Sequence, residues 1–425
     1  MTPIDYEKMQ KLFEKYSVEG CININISFSK TLEYSPLHDE LSFDSSENIN
    51  TSITIIKNHK KSVFSLDGYS LDKIDASINE MLKTIDFGQY DEDIILPKIT
   101  DIVEKDFSNG DLDALSFQDL EKEFEVFKNF PFEKNISKEG FSIGTHSATH
   151  IFMNSFGAKK IQKDNGAFYY VDIFGENGEK RENHYDYIST KNIPHITGEM
   201  LEKLQKELLF KISDSEAKVE SGKYDITLER DVVCDFLDII LGNMGAEGIR
   251  EGISLFSKNK LGDKIFGANF TLINNPELKN YTGTMLFDKE GMTAKKTILF
   301  DKGVFSSKFY DYKNTLKEGV GEVGNSTISN IELVGDSDAN YLEGSKILFT
   351  NLMAFHTVDE ATGKFSLNGE GYLLENGEKV DYIKNISLSG NVLDLFSNIK
   401  AIGNDFKEDG NFRVPSLTFY NQNII

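Results

Sequence analysis

The chain has 425 residues, 39% of them hydrophobic and 12% aromatic, which is enough apolar material for two or three packed cores and excludes a disordered chain. Its 46 basic residues are outnumbered by 69 acidic ones, giving a net charge of −23. That balance argues against direct nucleic-acid binding, which draws its affinity from Lys and Arg neutralising phosphates.

In chain order, Thr2-Pro3 followed by Asp5 predicts a helix start, with Tyr6, Met9, Phe13 and Tyr16 on one apolar face. From Gly20 to about Leu66 the period drops to two. Ile22, Ile24, Ile26 and Phe28, then Ile53 and Ile55, alternate with polar residues as half-buried strands do. Cys21 opens the first of these strands on the face opposite the isoleucines; no Lys, Arg or His flanks it, so it reads as an inert thiol. Asn58-His59-Lys60-Lys61 reads as a polar hairpin turn. Ser70 caps a second helix carrying Leu71, Ile74, Ile78, Met81 and Ile85, and Ser116 with Asp119 opens a third, with Leu120, Phe124 and Phe127 facing one way.

Gly140 to Gly157 predicts a strand, and Asp164-Asn165-Gly166 a hairpin turn leading into a strand over Ala167 to Ile173. Thr197 caps a helix through Leu201, Leu204, Leu208 and Ile212. The polar stretch Ser213 to Gly222 is taken as the boundary between an N-terminal α/β domain, 1–215, of antiparallel sheet plus helices, and a strand-rich C-terminal domain, 216–425, with few helices. Beyond it, Tyr224 to Val233 predicts a strand, Asp235 to Met244 a helix, and Asn391 to Ile402 a late helix with Asn391 as its cap and Leu395, Phe396 and Ile399 as its face. Strand runs mixed with segregated helices make the fold class α+β.

Few residues carry chemistry. Gly319, Gly321 and Gly324 spell a dinucleotide fingerprint, but polar Lys313 to Glu318 precedes them and no helical period follows, so the segment reads as a loop. His146 and His150 have metal-ligand spacing only on a helix; in the strand predicted there they stand about 13 Å apart and cannot share an ion, leaving exposed strand histidines. His38, His59, His184, His195 and His356 are isolated and read as solvated loop residues. No nucleophile elbow is present. Cys21 and Cys234 support neither a disulfide framework nor a multi-cysteine metal site. The first residues lack a basic-then-apolar leader, and no apolar run approaches the ~20 residues that span a bilayer, so a soluble, cytoplasmic protein without membrane contact is expected.

Gly245-Ala246-Glu247-Gly248 and Ser254-Leu255-Phe256 begin an ordered series of segments. It continues through Phe287-Asp288-Lys289-Glu290-Gly291, Gly369-Glu370-Gly371-Tyr372, Ser389-Gly390-Asn391-Val392 and Ile402-Gly403-Asn404-Asp405, with Val414-Pro415-Ser416-Leu417 near the end. Covering about residues 230 to 420, the series resembles the TldD/PmbA family, in which PmbA is also called TldE. The resemblance implies a two-domain fold and a cytoplasmic peptidase system acting on small or unfolded polypeptides. TldD-like members carry His-Glu-x-x-x-His on a helix and a late Cys, which gives a zinc ion three ligands, an open position for water and a Glu as base.

Anchored on Glu247-Gly248, that motif falls on Ile239, Ile240 and Met244, which can neither hold zinc as required nor move a proton, and Lys407 to Ser416 contains no Cys. The departure resembles the TldE/PmbA branch. It implies a non-metal-binding subunit with no cofactor of its own, zinc lying in a TldD-like partner, and a heterodimer (or a homodimer) that meets a peptide substrate. Family-motif or interface candidates are Glu247, Gly248, Gly369, Glu370, Gly371, Gly390, Asn391, Gly403, Asn404 and Asp405. The competing readings are a stand-alone homodimeric peptide- or ligand-binding protein without catalysis and an active peptidase using an unrecognised site.

Overall fold

A computed structural model describes residues 4–213, 217–321 and 324–425. The predicted cap Thr2 lies outside them. Asp5 caps α1 (Tyr6–Tyr16) instead, its carboxylate accepting from the Lys8 amide at 3.0 Å, and Met9 and Phe13 are buried as the periodicity predicts. Strands β1 (Glu19–Ser35), β2 (Glu40–Lys57) and β3 (Lys60–Asp67) form an antiparallel meander, with Asn58 and His59 both at positive φ in the last turn. Ser70 caps α2 (Leu71–Thr84). After β4 (Ile102–Asp106) and the single turn α3 (Gly110–Asp113), a reciprocal capping box between Ser116 and Asp119 starts α4 (Phe117–Asn129). Two long strands, β5 (Ile136–Asn154) and β6 (Lys159–Asn177), are followed by β7 (Lys180–Thr190) and α5 (Gly198–Lys211), which Thr197 caps.

The sheet runs β3-β2-β1-β5-β6, and β4 and β7 occupy successive stretches of the outer edge of β6. Strand alternation sends one side-chain phase under the helices. Ile22, Ile24, Ile53 and Ile55 pack beneath α1 and α2, while Phe141, Ile143, Tyr169 and Val171 pack beneath α4 and α5. The other phase faces the C-terminal half.

Asp164-Asn165-Gly166 is not a turn. It lies inside β6, and the chain reverses at 155–158, where Gly157 has φ +98°. The buried Asn165 amide donates to Asn109 O and to Asp113, each at 2.8 Å, and its oxygen accepts from Asn109 N at 2.7 Å. Tertiary partners thus satisfy a side chain that would otherwise favour a local turn.

The C-terminal half comprises β8 (Gly222–Leu228), α6 (Arg230–Gly242), α7 (Ala246–Glu251), β9 (Thr271–Asn274), β10 (Thr297–Asp301), β11 (Val304–Phe305) and α8 (Tyr312–Glu318). There follow β12 (Ile331–Val334), β13 (Ile347–Leu352), β14 (Lys364–Glu375), β15 (Glu378–Asn391), α9 (Val392–Ser397), β16 (Ile399–Ile402), β17 (Phe412–Arg413) and β18 (Leu417–Ile424). One sheet is ordered β11-β10-β9-β12-β17 and the other β15-β14-β13-β8-β18-β16; β15 also meets β18, closing five strands into a ring. A single core of α6, α9 and residues from both sheets joins them. The architecture is α+β with two domains, strand-rich in the second; the predicted division at 215/216 falls outside the described residues.

Three predicted boundaries shift. The strand from Tyr224 stops at Leu228 and α6 begins at Arg230, because β-branched Val232 and Val233 enter the core from the first helical turn. The late helix ends at Ser397, and Ile399–Ile402 pairs with β18 as β16. Lys313 to Glu318, read as part of a polar loop, belongs to α8, which Asp311 caps.

Candidate functional site

Helix α6 carries the positions onto which the family motif falls. Its inner face buries Val232, Val233, Phe236, Leu237, Ile240 and Leu241. Its outer face presents Asp231, Asp235 and Asp238, like charges spaced three and four apart that repel one another. Partial burial, then Asp238 and Asp231, push the Asp235 carboxyl up to about 6. Beside them lies a groove of about 370 Å³ lined by Asp235, Asp238, Ile239, Gly242, Asn243, Phe355 and Glu360.

Ile239 faces this groove, but Ile240 and Met244 are 0% exposed in the core. The helix also stops at Gly242. Asn243 then turns the chain, donating to Ile239 O at 2.9 Å and accepting from Leu255 N at 3.0 Å, so Met244 lies past the helix end. Two hydrocarbon side chains and a core thioether do not fit a zinc ion. Among the described residues no three His, Cys, Asp or Glu side chains are grouped to hold a metal.

The histidines divide. His146 is exposed and His150 half-buried, on the same face of β5, and burial holds His150 below the usual imidazole range. His184 is a strand residue of β7 rather than a solvated loop residue, with Nε2 3.7 Å from the Glu207 carboxylate. Burial, then Lys211, lowers it to about 4. Glu207 of α5 also accepts from the Tyr372 hydroxyl and from Lys379, each at 3.1 Å. His195 is exposed as predicted but pairs through Nδ1 with Glu123 at 2.9 Å. Cys21 is buried and its thiol pushed up to about 11 by that burial, in line with an inert group; Cys234 rises to about 12 despite the neighbouring Arg230.

The family-motif residues mostly shape backbone. A Cβ on Gly371 would lie 1.9 Å from Leu348 O, so glycine there lets β14 lie against β13, and Glu370 beside it reaches Lys211 of the N-terminal domain at 3.5 Å; Gly369 is equally confined. Gly390 precedes Asn391, which caps α9 by accepting from Leu393 N at 2.9 Å. Gly403 passes close to Ser416, Asn404 is exposed, and Asp405 accepts from the Ser416 amide at 2.9 Å and hydroxyl at 2.6 Å. Glu247 pairs with Lys313 at 3.0 Å, one residue before Gly248 in α7.

In the Phe287–Gly291 loop, Asp288 is 3% exposed and accepts from the amides of Glu290 and Met292 at 3.0 Å and of Ser326 at 3.2 Å. This loop meets Phe152 of β5 across the domain junction. Sequence reading missed Arg230, Lys160 and Gln162 in the same junction. Single polar residues in amphipathic segments look solvated until their partners, distant in sequence, are in place.

Residues 221–425 match the PmbA/TldA metallopeptidase C-terminal domain. The chain is homologous to the TldD/PmbA metallopeptidase family. A metalloprotease of Methanothermobacter thermautotrophicus is 30% identical over 203 residues, 44% of each chain. A PmbA-homologue metalloprotease of Buchnera aphidicola is 24% identical over 293 residues, 66% of this chain and 64% of that one. The matches thus span less than two thirds of the length of these curated relatives. Among solved structures, TldE from Thermococcus kodakarensis superposes with a TM-score of 0.84 at 18% identity, covering 98% of this chain and 99% of that one. A Bacteroides thetaiotaomicron protein described as a candidate modulator of DNA gyrase reaches 0.87 at 21% identity, with 100% and 99% coverage. At such identities the likeness shows a shared fold.

Proposed function

We propose that the chain is the zinc-free, TldE-like subunit of a TldD/TldE-type metallopeptidase pair, completing the cleft in which a zinc-bearing partner processes small or unfolded peptides. The observation that carries this reading is the placement of Ile240 and Met244, which fill core space where the resemblance requires a base and a ligand. Sequence likeness to a protein named PmbA homologue supports the branch. In this reading the chain divides at 215/216 and the C-terminal domain supplies the main interface, with half-buried Glu247 and exposed Asn404 among its candidates and the glycines shaping the backbone beneath.

Co-expression with a TldD-like chain, followed by affinity capture and light scattering, is expected to give a heteromeric complex. Hydrolysis of casein by the zinc chain is expected to fall when this chain is omitted. A zinc chain equally active alone defeats the proposal, and a stable homodimer that ignores such a partner favours the stand-alone binding protein.

A further inference from the structure

The helix-free face of the N-terminal sheet is only partly covered by the C-terminal domain. Because the opposite phase enters the helix-covered cores, alternation places Asn23 and Asn25 of β1, Asn50 and Ser52 of β2, His150 of β5 and Gln162 of β6 on this face. Register aligns them into rungs: Gln162 opposes His150, His150 opposes Asn25, and Asn25 opposes Asn50; on the next rung Asn23 opposes Ser52. The segment from Thr282 to Lys289 crosses above. Gln162 clamps it, donating to Thr284 O at 3.1 Å and accepting from Leu286 N at 2.7 Å. Between the rungs and this segment a cleft of about 340 Å³ stays open.

Its lining has two properties that select a ligand. Asn23, Asn25, Asn50, Ser52 and His150 make no side-chain hydrogen bond or ion pair with another described residue. Each asparagine therefore offers two donors and a carbonyl acceptor, the complement of another amide. The interior is also uncharged on balance. Asp164 is ion-paired to Lys191, the Asp288 carboxylate is turned onto the amides of Glu290, Met292 and Ser326 and offset by Lys289 at the exposed rim, and burial holds the His150 imidazole below its usual range. Phe287 supplies an apolar wall. The volume falls at the small end of the range for ligand pockets, roughly 300–1,000 Å³.

We propose that this interdomain cleft binds a short, uncharged peptide segment through its amide groups, with Asn25 and Asn50 as the principal readers. The ligand class rests on the proposed function; the cleft and its unpaired amides do not.

The test uses the full chain labelled with 15N-asparagine and follows side-chain NH2 signals by NMR while N-acetylglycylglycinamide is added. The expected result is a saturable shift at Asn25 and Asn50, with a Kd on the order of 1–10 mM for so small a probe. Binding should weaken about tenfold, followed by calorimetry, in Asn25→Leu/Asn50→Leu, whose exposed positions leave folding intact by circular dichroism. N-acetylglutamate and glucose are expected to give no saturable shift. The proposal is overturned if the blocked peptide gives none, if glucose or the anion matches it, or if the double variant binds unchanged. Complex formation with the zinc chain, read in parallel, separates the two proposals: an intact complex without amide binding defeats this one alone, and amide binding without a complex leaves it standing.

Discussion

Gly291 holds φ +80° at the domain junction, and a Cβ there would come within 2.3 Å of the Phe152 ring. Both the backbone and the space demand glycine. Gly291→Ala is expected to cost about 1–3 kcal/mol in chemical denaturation, through strain and displacement of Phe152. Its neighbour Glu290 accepts from the Tyr312 amide at 2.6 Å, yet burial pushes its carboxyl from 4.5 up to about 7. The folded state therefore holds a proton that the unfolded chain releases near pH 4.5, and stability falls as pH rises from about 4.5 to 7. Glu229, also raised to about 7, acts in the same direction. Glu290→Gln keeps an acceptor without the charge. At pH 8 it should be about 1–3 kcal/mol more stable than the parent in urea unfolding, the difference closing below about pH 4.5; an unchanged pH profile counts against this account.

Helix α6 decides whether zinc chemistry could be restored by substitution. Installing Ile239→His, Ile240→Glu and Met244→His together would place a carboxylate at a position 0% exposed and the second histidine ligand beyond the helix end, with no late cysteine to supply the third. The variant is expected to bind no stoichiometric zinc by elemental analysis and to lose on the order of 3–5 kcal/mol of stability, since an unpaired buried charge is among the costliest changes. Elements closed by local caps were legible in the sequence: Ser70, the Ser116–Asp119 box, Thr197 and Asn391 all cap where predicted. Boundaries set by partners far along the chain were not. Ile399 has helical spacing from Leu395, but pairing with β18 draws it into a strand, and Val232 and Val233 favour strands until the core claims them.

Across the whole molecule, polar side chains tie the two domains together. Arg230 is 5% exposed; its guanidinium meets the Asp409 carboxylate at 3.0 Å and the carbonyls of Asp409 and Phe412 at 2.8 and 3.2 Å. Asp409 in turn accepts from Ser189 N of β7 at 2.8 Å. On the other side of the junction, Lys160, 2% exposed, pairs with Asp101 at 2.9 Å and donates to Thr293 at 3.1 Å. Arg230→Ala is expected to cost about 2–4 kcal/mol by leaving the half-buried Asp409 carboxylate, held by the Ser189 amide, without its counter-charge. Arg230→Lys should recover part of this, because an ammonium cannot reach the carboxylate and both carbonyls as the planar fork does. Thermal unfolding of the two variants in parallel checks the order.

The sequence alone carried the α+β class, the helix starts at Ser70, Ser116, Thr197 and Asn391, the alternation that separates the two faces of the N-terminal sheet, and the substituted motif at Ile239, Ile240 and Met244. These depend on residue type and short spacing, which the chain carries locally. Only the tertiary structure decided that two of those three positions are core, that Asp164-Asn165-Gly166 stays in a strand, that His184 is held beside Glu207, and that unpaired asparagines line a cleft between domains. Each of those outcomes depends on which distant residues become neighbours, and the energy of burial or of a hydrogen bond exists only once they meet.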